Sequence, residues 1–169
     1  MKKLAIYLGI IVVLFVAIFL VTKTSNKGND DAANKLYGVS ASKLKPATQK
    51  LLEDPNYQNL IKPEELDKRI ANKESFFLYY YGADCPHCKV TTPVLVPLQQ
   101  KLGIDVKQFN LLEFQDGWKK YNIEFTPTLV YYKDGVEVDR MVGGVPENGG
   151  TEGNTPAKFE EFFLKHNGK

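Results

Sequence analysis

An α/β fold, with helices on both faces of a mixed sheet, is predicted by three features of the sequence. Residues 75–81 (SFFLYYY) form a continuous aromatic and apolar run, which is typical of a central strand covered on both faces. Strand-like and helix-like segments alternate from residue 46 onward, and βαβ units require parallel strands. Lys133-Asp134-Gly135 separates two late strand-like segments, as in an antiparallel hairpin. The sheet is therefore expected to be mixed and sandwiched by helices.

Local signals set the limits of the individual elements. Pro63 opens a helix with acidic residues in its first turn, where they complement the helix dipole. Gly103 is placed to end the longest helix, and Pro93 is expected to kink that helix. Thr155 is the expected cap of the last helix. The predicted helices cover residues 46–53, 63–72, 86–102, 113–121 and 156–166, and the predicted strands cover residues 57–61, 75–81, 104–110, 128–132 and 136–142.

Composition and charge exclude several classes of protein. A chain of 169 residues with 43% hydrophobic and 25% charged residues is long enough for one domain with a substantial core, which excludes disorder of the whole chain. Two cysteines exclude a disulfide-stapled mini-fold. The net charge of +2 gives no basic surface for nucleic acid. A mean hydropathy of −0.29 excludes a polytopic membrane protein but not a single span.

A single membrane span is predicted near the amino terminus. Residues 4–21 carry no charge and would form a helix of about 27 Å, close to the hydrocarbon thickness of a bilayer. Lys2 and Lys3 favour a cytoplasmic amino terminus, so the domain is expected outside, on a single-pass anchor in the cell membrane. Three alternatives fit this segment less well. It has no small-residue cleavage site for a signal peptide and no cysteine for a lipoprotein, and it lacks the polar face of a core helix. Residues 1–21 are thus an expected signal-anchor, although later clipping stays open.

Between this anchor and the domain, residues 22–45 are polar and rich in Asn, Lys, Ser and Asp. Such a composition is typical of a flexible tether. The folded domain is then expected over residues 46–169.

The segment Cys85-Pro86-His87-Cys88 contains both cysteines of the chain and begins the helix that follows the buried strand. The i, i+3 spacing places the two sulfurs on one helical face, within reach of a disulfide. The helix N-terminus stabilises a thiolate at Cys85, Pro86 stiffens the turn, and His87 adds a possible positive charge. Cys85 is therefore the expected attacking or attacked thiol, and Cys88 the thiol that resolves the mixed disulfide.

Two other roles for the cysteines are less favoured. A structural disulfide closing so small a loop adds little stability. A metal site needs about four ligands, and His87 and His166 are the only histidines available beside the cysteines. The sequence predicts a redox-active pair that needs no metal and no cofactor beyond its own disulfide.

From about residue 57 to its end, the chain resembles the thioredoxin superfamily. Besides the paired cysteines, Pro93, the segment Phe125-Thr126-Pro127-Thr128 and Gly143 match positions that the family keeps. The resemblance implies a thioredoxin-like fold in which Thr126–Pro127 is cis and lies beside the sulfurs. It further implies that the backbone of Thr126 pairs with an extended substrate strand.

The sequence departs from thioredoxins at two points. Tyr79 occupies the position of a buried acid, which removes a proton acceptor for the resolving thiol. Pro86-His87 resembles the pair found in strongly oxidising disulfide oxidases, but the chain is too short for their inserted helical domain. It resembles more closely the small membrane-anchored thioredoxin-like proteins of Gram-positive bacteria, including those described as bacteriocin transport accessory proteins. With Asp84 opposing the thiolate, the couple is expected to be oxidising but less extreme than the strongest oxidases.

Three hypotheses about function follow. The first is an extracytoplasmic thiol–disulfide oxidoreductase that introduces disulfides into exported cysteine-containing proteins or peptides and is recycled by a membrane redox partner. The second runs the same chemistry as a reductase supplied with electrons across the membrane. The third is a non-enzymatic accessory factor that binds an exported peptide in the groove beside Thr126.

Overall fold

The computed structural model describes residues 2–147, 150 and 152–167; within these, the side chains of residues 2–6, 8 and 21–27 are not described. The α-helices are α1 (Lys2–Tyr37), α2 (Pro46–Gln49), α3 (Pro63–Ala71), α4 (Pro86–Lys101), α5 (Gly117–Lys120) and α6 (Pro156–His166). The strands are β1 (Phe76–Tyr81), β2 (Val106–Asn110), β3 (Thr128–Lys133) and β4 (Val136–Val142). Single 3₁₀ turns cover Ala41–Lys43 and Pro55–Tyr57.

The four strands form one mixed sheet in the order β2-β1-β3-β4. Strand β1 pairs with β2 in parallel and with β3 antiparallel, and β3 continues into the hairpin with β4. Lys133 to Val136 close this hairpin, with Asp134 and Gly135 both at positive φ as a two-residue turn requires. The predicted mixed sheet with a late hairpin is confirmed.

Every side chain of β1 is buried, three on each face of the sheet. Phe77, Tyr79 and Tyr81 pack against α4 and α6, whereas Phe76, Leu78 and Tyr80 pack with Leu66 of α3 and with Tyr121 after α5. Helices therefore cover both faces of the sheet, as the uninterrupted apolar run predicts. The carboxyl end of β1 leads directly into the cysteine motif.

The helix predicted over residues 46–53 ends at Gln49. Two further predicted elements also differ from the structure. Residues 57–61 are not a strand: Asp54 caps a 3₁₀ turn at Pro55–Tyr57, and Leu60 makes an isolated parallel bridge to Gln108 of β2. The helix predicted over residues 113–121 is reduced to α5. The Asn110 side chain accepts a hydrogen bond from Leu112 N, and the residues between β2 and α5 form turns. Both differences come from side-chain hydrogen bonds that compete with regular structure.

The expectation of a flexible tether over residues 22–45 is wrong for its described second half. Helix α1 continues to Tyr37, and Ala33 and Leu36 are buried, 0% and 8% exposed, in a cluster with Leu44 and Leu52. Their i, i+3 spacing gives the polar segment one apolar face. The chain then turns back, with Ala41 N donating to Asp30 Oδ1 at 2.8 Å and Tyr37 Oη accepting from Asn110 Nδ2 at 3.0 Å.

The predicted span of residues 4–21 falls within α1, and residues 4–6, 8 and 21 are among those whose side chains are not described. In the described part of the chain, no helix combines the length and the apolar character that crossing a bilayer requires. The signal-anchor therefore stays a prediction.

Candidate active site

The two cysteines lie at the junction of β1 and α4. Cys85 is the N-cap of α4 and Pro86 is its first residue, where a missing N–H costs no hydrogen bond. The Sγ atom of Cys85 accepts from Cys88 N at 3.4 Å. Both thiols are unpaired; Cys85 is partly exposed and Cys88 fully buried. The structure thus places one sulfur accessible at the helix end and the other buried one turn further in.

The surroundings of Cys85 lower the pKa of its thiol to about 5. The largest cause is the hydrogen bond from the Cys88 thiol, followed by contributions from the Thr126 side chain, the Cys88 N–H and the charge of His87, against the opposing effect of burial. The pKa of Cys88 is raised, first by its hydrogen bond to Cys85 and then by burial. At neutral pH the reduced pair therefore holds one proton, on Cys88.

Thr126 and Pro127 face this pair from the loop that leads into β3. Their peptide bond is cis, as the resemblance implies, and Thr126 O lies 3.4 Å from Cys85 Sγ, which donates to it in the thiol form. Pro127 O accepts from Gly143 N at 2.8 Å and so ties this loop to the end of β4. The predicted groove residues and the predicted cysteines thus form one site.

His87 is held from outside the motif by a carboxylate that sequence reasoning did not identify. Its Nδ1 lies 2.6 Å from Oε1 of Glu147, in the loop after β4. This loop packs closely on α4, with Val145 N donating to Thr91 Oγ1 at 3.0 Å. A Cβ on Gly144 would collide with Thr91 Oγ1, so only glycine permits this approach. In the sequence, only the length of the loop after β4 indicated that it could reach the site.

Behind Cys88, the position of the missing acid is filled by neutral hydroxyl groups. Tyr79 is 1% exposed, and its Oη lies 3.2 Å from Thr92 Oγ1, which in turn donates to Cys88 O at 2.7 Å. Burial raises the pKa of Tyr79 well above its usual value, so the phenol stays protonated. Within the described residues, the strongest influences on the Cys88 pKa are Cys85, burial, the Gly82 backbone and Thr126. In the sequence, the i, i+4 spacing of Cys88 and Thr92 is the signal that could have placed the Thr92 hydroxyl beside Cys88.

The remaining charged candidates do not join the site. Asp84 is exposed to solvent beside the motif, which weakens its opposition to the thiolate. His166, on α6, stacks on Tyr131, and its Nε2 lies 2.7 Å from Asp139 Oδ2. The described residues contain no group of three or more His, Cys, Asp or Glu side chains arranged to hold a metal ion.

Two thiols of opposite pKa shift, joined by a hydrogen bond at the start of a helix in a mixed sheet sandwiched by helices, define a thiol–disulfide oxidoreductase of thioredoxin fold. The family model for thioredoxin matches residues 58–149, and the chain belongs to the thioredoxin family. Its activity is that of a thiol–disulfide oxidoreductase, and thioredoxin-like proteins act on protein substrates that contain disulfides.

Curated relatives and solved structures agree with this assignment. A thioredoxin of Chlamydia pneumoniae is 31% identical over 85 residues, which cover 50% of this chain and 82% of the relative. A thioredoxin of Mycoplasmoides gallisepticum is 26% identical over 90 residues, covering 50% and 85%.

The solved structures show the same fold. That of mitochondrial thioredoxin 3 from Saccharomyces cerevisiae, in the oxidised form, aligns with a TM-score of 0.52 at 20% identity, over 65% of this chain and 98% of its own. A mutant thioredoxin from Halobacterium salinarum aligns with a TM-score of 0.53 at 20% identity, over 68% and 95%.

Proposed function

We propose that this protein is a membrane-anchored, extracytoplasmic thiol–disulfide oxidoreductase that introduces disulfides into exported proteins. The observation that carries the oxidising direction is the Cys85 sulfur at the N-cap of α4, where its surroundings lower the pKa of the thiol to about 5. A thiolate stabilised in this way stabilises the reduced form, and a more stable reduced form makes the disulfide a stronger oxidant.

The proposed reaction begins with the Cys85–Cys88 disulfide. A substrate thiolate attacks Cys85 Sγ, the bond between the two cysteines breaks, and Cys88 leaves and takes up a proton. A second substrate thiolate then attacks the substrate sulfur of the mixed disulfide, and Cys85 leaves as a thiolate. The substrate has lost two electrons and formed one disulfide, and the protein has gained both electrons. Because Cys85 is a low-pKa leaving group, the second step is fast.

Cys88 resolves any mixed disulfide that the substrate cannot complete. Cys88 loses its proton, its thiolate attacks Cys85 Sγ, and the substrate sulfur leaves and takes up a proton, which restores the Cys85–Cys88 disulfide. A membrane redox partner must remove the two electrons after each productive cycle, because the reduced Cys85–Cys88 pair has to be oxidised again before it can accept electrons from the next substrate. Exported proteins or peptides with paired cysteines are the proposed substrates.

The proposed location rests on the apolar stretch of α1. The large apolar side chains described between Tyr7 and Leu20 are 48–69% exposed. A bilayer would remove this apolar surface from water, which is favourable, whereas in solution the surface would stay exposed to water. With Lys2 and Lys3 on the cytoplasmic side, the domain after α1 would lie outside the membrane. This arrangement is what the resemblance to small membrane-anchored proteins of Gram-positive bacteria implies, including bacteriocin transport accessory proteins.

The reduction potential of the Cys85–Cys88 pair tests the oxidising direction. The full chain, held in detergent micelles, is equilibrated in glutathione buffers and the two redox forms are separated after alkylation. A value above about −180 mV, in the range of protein disulfide isomerase and stronger oxidants, supports the proposal. A value below about −230 mV, nearer thioredoxin, overturns it. The Cys88→Ser variant is the control, since it has no intramolecular couple.

Location needs a separate test. Protease added to spheroplasts should digest the domain without lysis, whereas a cytoplasmic domain would be digested only after lysis. In the same cells, Cys85→Ala should leave exported substrates with unpaired thiols. Intact disulfides in all of them would contradict the proposed function.

A second candidate, reduction of exported disulfides, is favoured by the names of the relatives, which are thioredoxins. The chemistry of the site is the same, and electrons would flow from a membrane donor through Cys85 and Cys88 to the substrate. Acid quenching and alkylation of growing cells distinguish the two directions. A pair found mostly reduced favours the reductase, and a pair found mostly oxidised favours the oxidase.

A further inference from the structure

We infer that the groove beside Cys85 selects cysteine-bearing segments that also carry lysine or arginine, together with an apolar side chain. This inference rests on the proposed oxidation of thiol substrates and specifies the substrate class. We call the groove the acidic groove; it is lined by residues that include Phe125, Pro127, Val142, Val145, Glu147 and Glu152. Its volume is about 500 Å³, enough for a few side chains of an extended peptide.

The floor of the acidic groove is apolar and uncovered. Phe125 is 63% exposed and Val142 is 48% exposed, although both are large apolar residues of the groove lining. Phe125 immediately precedes Thr126, whose carbonyl lies 3.4 Å from Cys85 Sγ. A substrate cysteine that reaches Cys85 therefore brings its neighbouring side chains over Phe125. Burying apolar atoms there stabilises the complex by about 25 cal/mol for each Å² removed from water.

The charged groups lining the acidic groove have a net negative charge. Glu147 is bound to His87 at 2.6 Å, so one carboxylate is already paired. Glu152 is exposed and makes no ion pair or hydrogen bond within the described part of the chain. Lys158 approaches the same loop but donates to Gly153 O at 3.2 Å and does not line the groove. Outside the lining, Glu124 is exposed next to Phe125 and adds a further negative charge.

This distribution favours one kind of occupant. A segment with Lys or Arg near its cysteine places a cation beside the unpaired Glu152, whereas an acidic segment places like charges together. A side-chain pair of this exposed kind contributes up to about 1 kcal/mol, which is about a fivefold change in rate or affinity. The apolar floor supplies attraction without regard to charge, so the carboxylates decide between segments of equal hydrophobicity.

The test uses the oxidised full chain in detergent micelles and three peptides. Each peptide carries two cysteines and one leucine, and they differ only at two flanking positions, which are Lys, Gln or Glu. The rate of peptide oxidation is measured by quenching and mass spectrometry. Each rate is divided by the rate of the same peptide with 2-hydroxyethyl disulfide, which is uncharged and so corrects only for the effect of flanking charge on the peptide thiol.

We expect the Lys peptide to react about three to five times faster than the Glu peptide at low salt, with the Gln peptide between them. The ratio should fall towards one in 0.5 M NaCl. Glu152→Gln should reduce the ratio to about half, whereas Glu64→Gln, an exposed glutamate of α3 on the other side of the sheet, should leave it unchanged. Phe125→Ser should slow all three peptides by a common factor.

Failure of this inference can be told apart from failure of the proposed function. If the Gln peptide is oxidised but the Lys and Glu peptides react at equal corrected rates, the charge preference is wrong and the oxidase proposal stands. A preference that persists unchanged in Glu152→Gln also overturns the inference. If the Gln peptide is not oxidised at all, the proposed function itself fails.

Discussion

The Sγ atom of Cys85 lies 3.4 Å from the backbone nitrogen of Cys88, so an N–H group in the first turn of α4 points at the sulfur that the sequence predicts to react. The helix dipole and this hydrogen bond both favour negative charge at that point. The Cys88 thiol adds the largest contribution, because it also donates to Cys85. The geometry at the helix end thus controls the protonation of the pair.

The first prediction concerns that thiolate. Titration of the reduced protein, followed by absorbance at 240 nm, should show one thiolate forming with a midpoint near pH 5. In Cys88→Ser the midpoint should rise. The hydrogen bond from the Cys88 thiol makes the largest contribution to the low pKa of Cys85, and we expect a serine hydroxyl to replace that bond only in part. Cys85→Ser should show no thiolate below pH 8. A midpoint near 8.5, the value of an ordinary thiol, would contradict the geometry.

The second prediction follows from the same pKa. A thiol whose pKa is lower in the folded protein than in the unfolded chain stabilises the fold, fully above the unfolded value and progressively less as pH falls. The stability of the reduced protein relative to the oxidised protein should therefore decrease between about pH 8.5 and pH 5. Urea unfolding of both forms across this range measures the difference. Parallel pH profiles of the two forms would refute the prediction.

The third prediction tests whether Tyr79 moves a proton. Tyr79→Phe removes the hydroxyl that contacts Thr92, which should lower the free energy of unfolding by about 1 kcal/mol. Its high pKa excludes it as a base, so the rate of thiol–disulfide exchange should change far less than the roughly 100-fold that a general base contributes. Stopped-flow exchange with a model disulfide measures the rate. Thr92→Val, which removes the partner hydroxyl, is the matched control.

A large loss of rate in Tyr79→Phe, with exchange by Thr92→Val unaffected, would mean that the phenol takes part in proton transfer after all. Equal small losses in both variants would fit a purely structural pair.

The fourth prediction concerns His87. Its charge is the last and smallest of the contributions that lower the pKa of Cys85, and its side chain is 66% exposed. His87→Ala should therefore raise the pKa of Cys85 by less than about one unit, and the change should shrink in high salt. The reduction potential should become more negative by less than about 30 mV. Lys89→Ala, which removes an exposed charge from the same helix, controls for net charge.

If His87→Ala leaves the Cys85 pKa unchanged even at low salt, then Glu147, at 2.6 Å from the ring, neutralises the imidazolium. In that case Glu147→Gln should lower the Cys85 pKa in the native chain but not in the His87→Ala background.

Features that depend on neighbouring residues could be predicted from the sequence, whereas features that depend on contacts between distant residues could not. The buried strand β1 could be predicted because residues 75–81 carry apolar groups on both faces, and the position of Cys85 follows from the strand–helix junction. These signals lie within one turn or one strand. The shortened α5 could not be foreseen, because it depends on how the Asn110 side chain is oriented in the fold.

Longer-range contacts were missed for the same reason. Glu147 and His87 are 60 residues apart, and nothing in the loop sequence specifies which α4 side chain it meets. The order in residues 28–44 was hidden by their polar average composition. Four buried apolar positions, Ala33, Leu36, Ala41 and Leu44, carry the packing, and their partner Leu52 lies beyond the segment.

The last prediction tests this packing of the amino-terminal segment on the domain. Leu36 is 8% exposed in a cluster with Leu44 and Leu52, so Leu36→Ala should lower the free energy of unfolding by about 2 kcal/mol. Tyr37→Phe should cost about 1 kcal/mol, because Asn110 Nδ2 would lose the hydroxyl it donates to. Lys35→Ala, at an exposed position of the same helical turn, should change stability by less than about 0.5 kcal/mol.

Urea unfolding of the full chain in micelles, followed by the fluorescence of Trp118, measures these differences on a probe within the domain. A segment that is only a tether would leave the unfolding of the domain unaltered in all three variants. If Leu36→Ala shifts the transition while Lys35→Ala does not, the segment folds cooperatively with the sheet. The reactive face around Cys85 is then held in a fixed orientation relative to α1, because Tyr37 and Asn110 join the end of that helix to the end of β2.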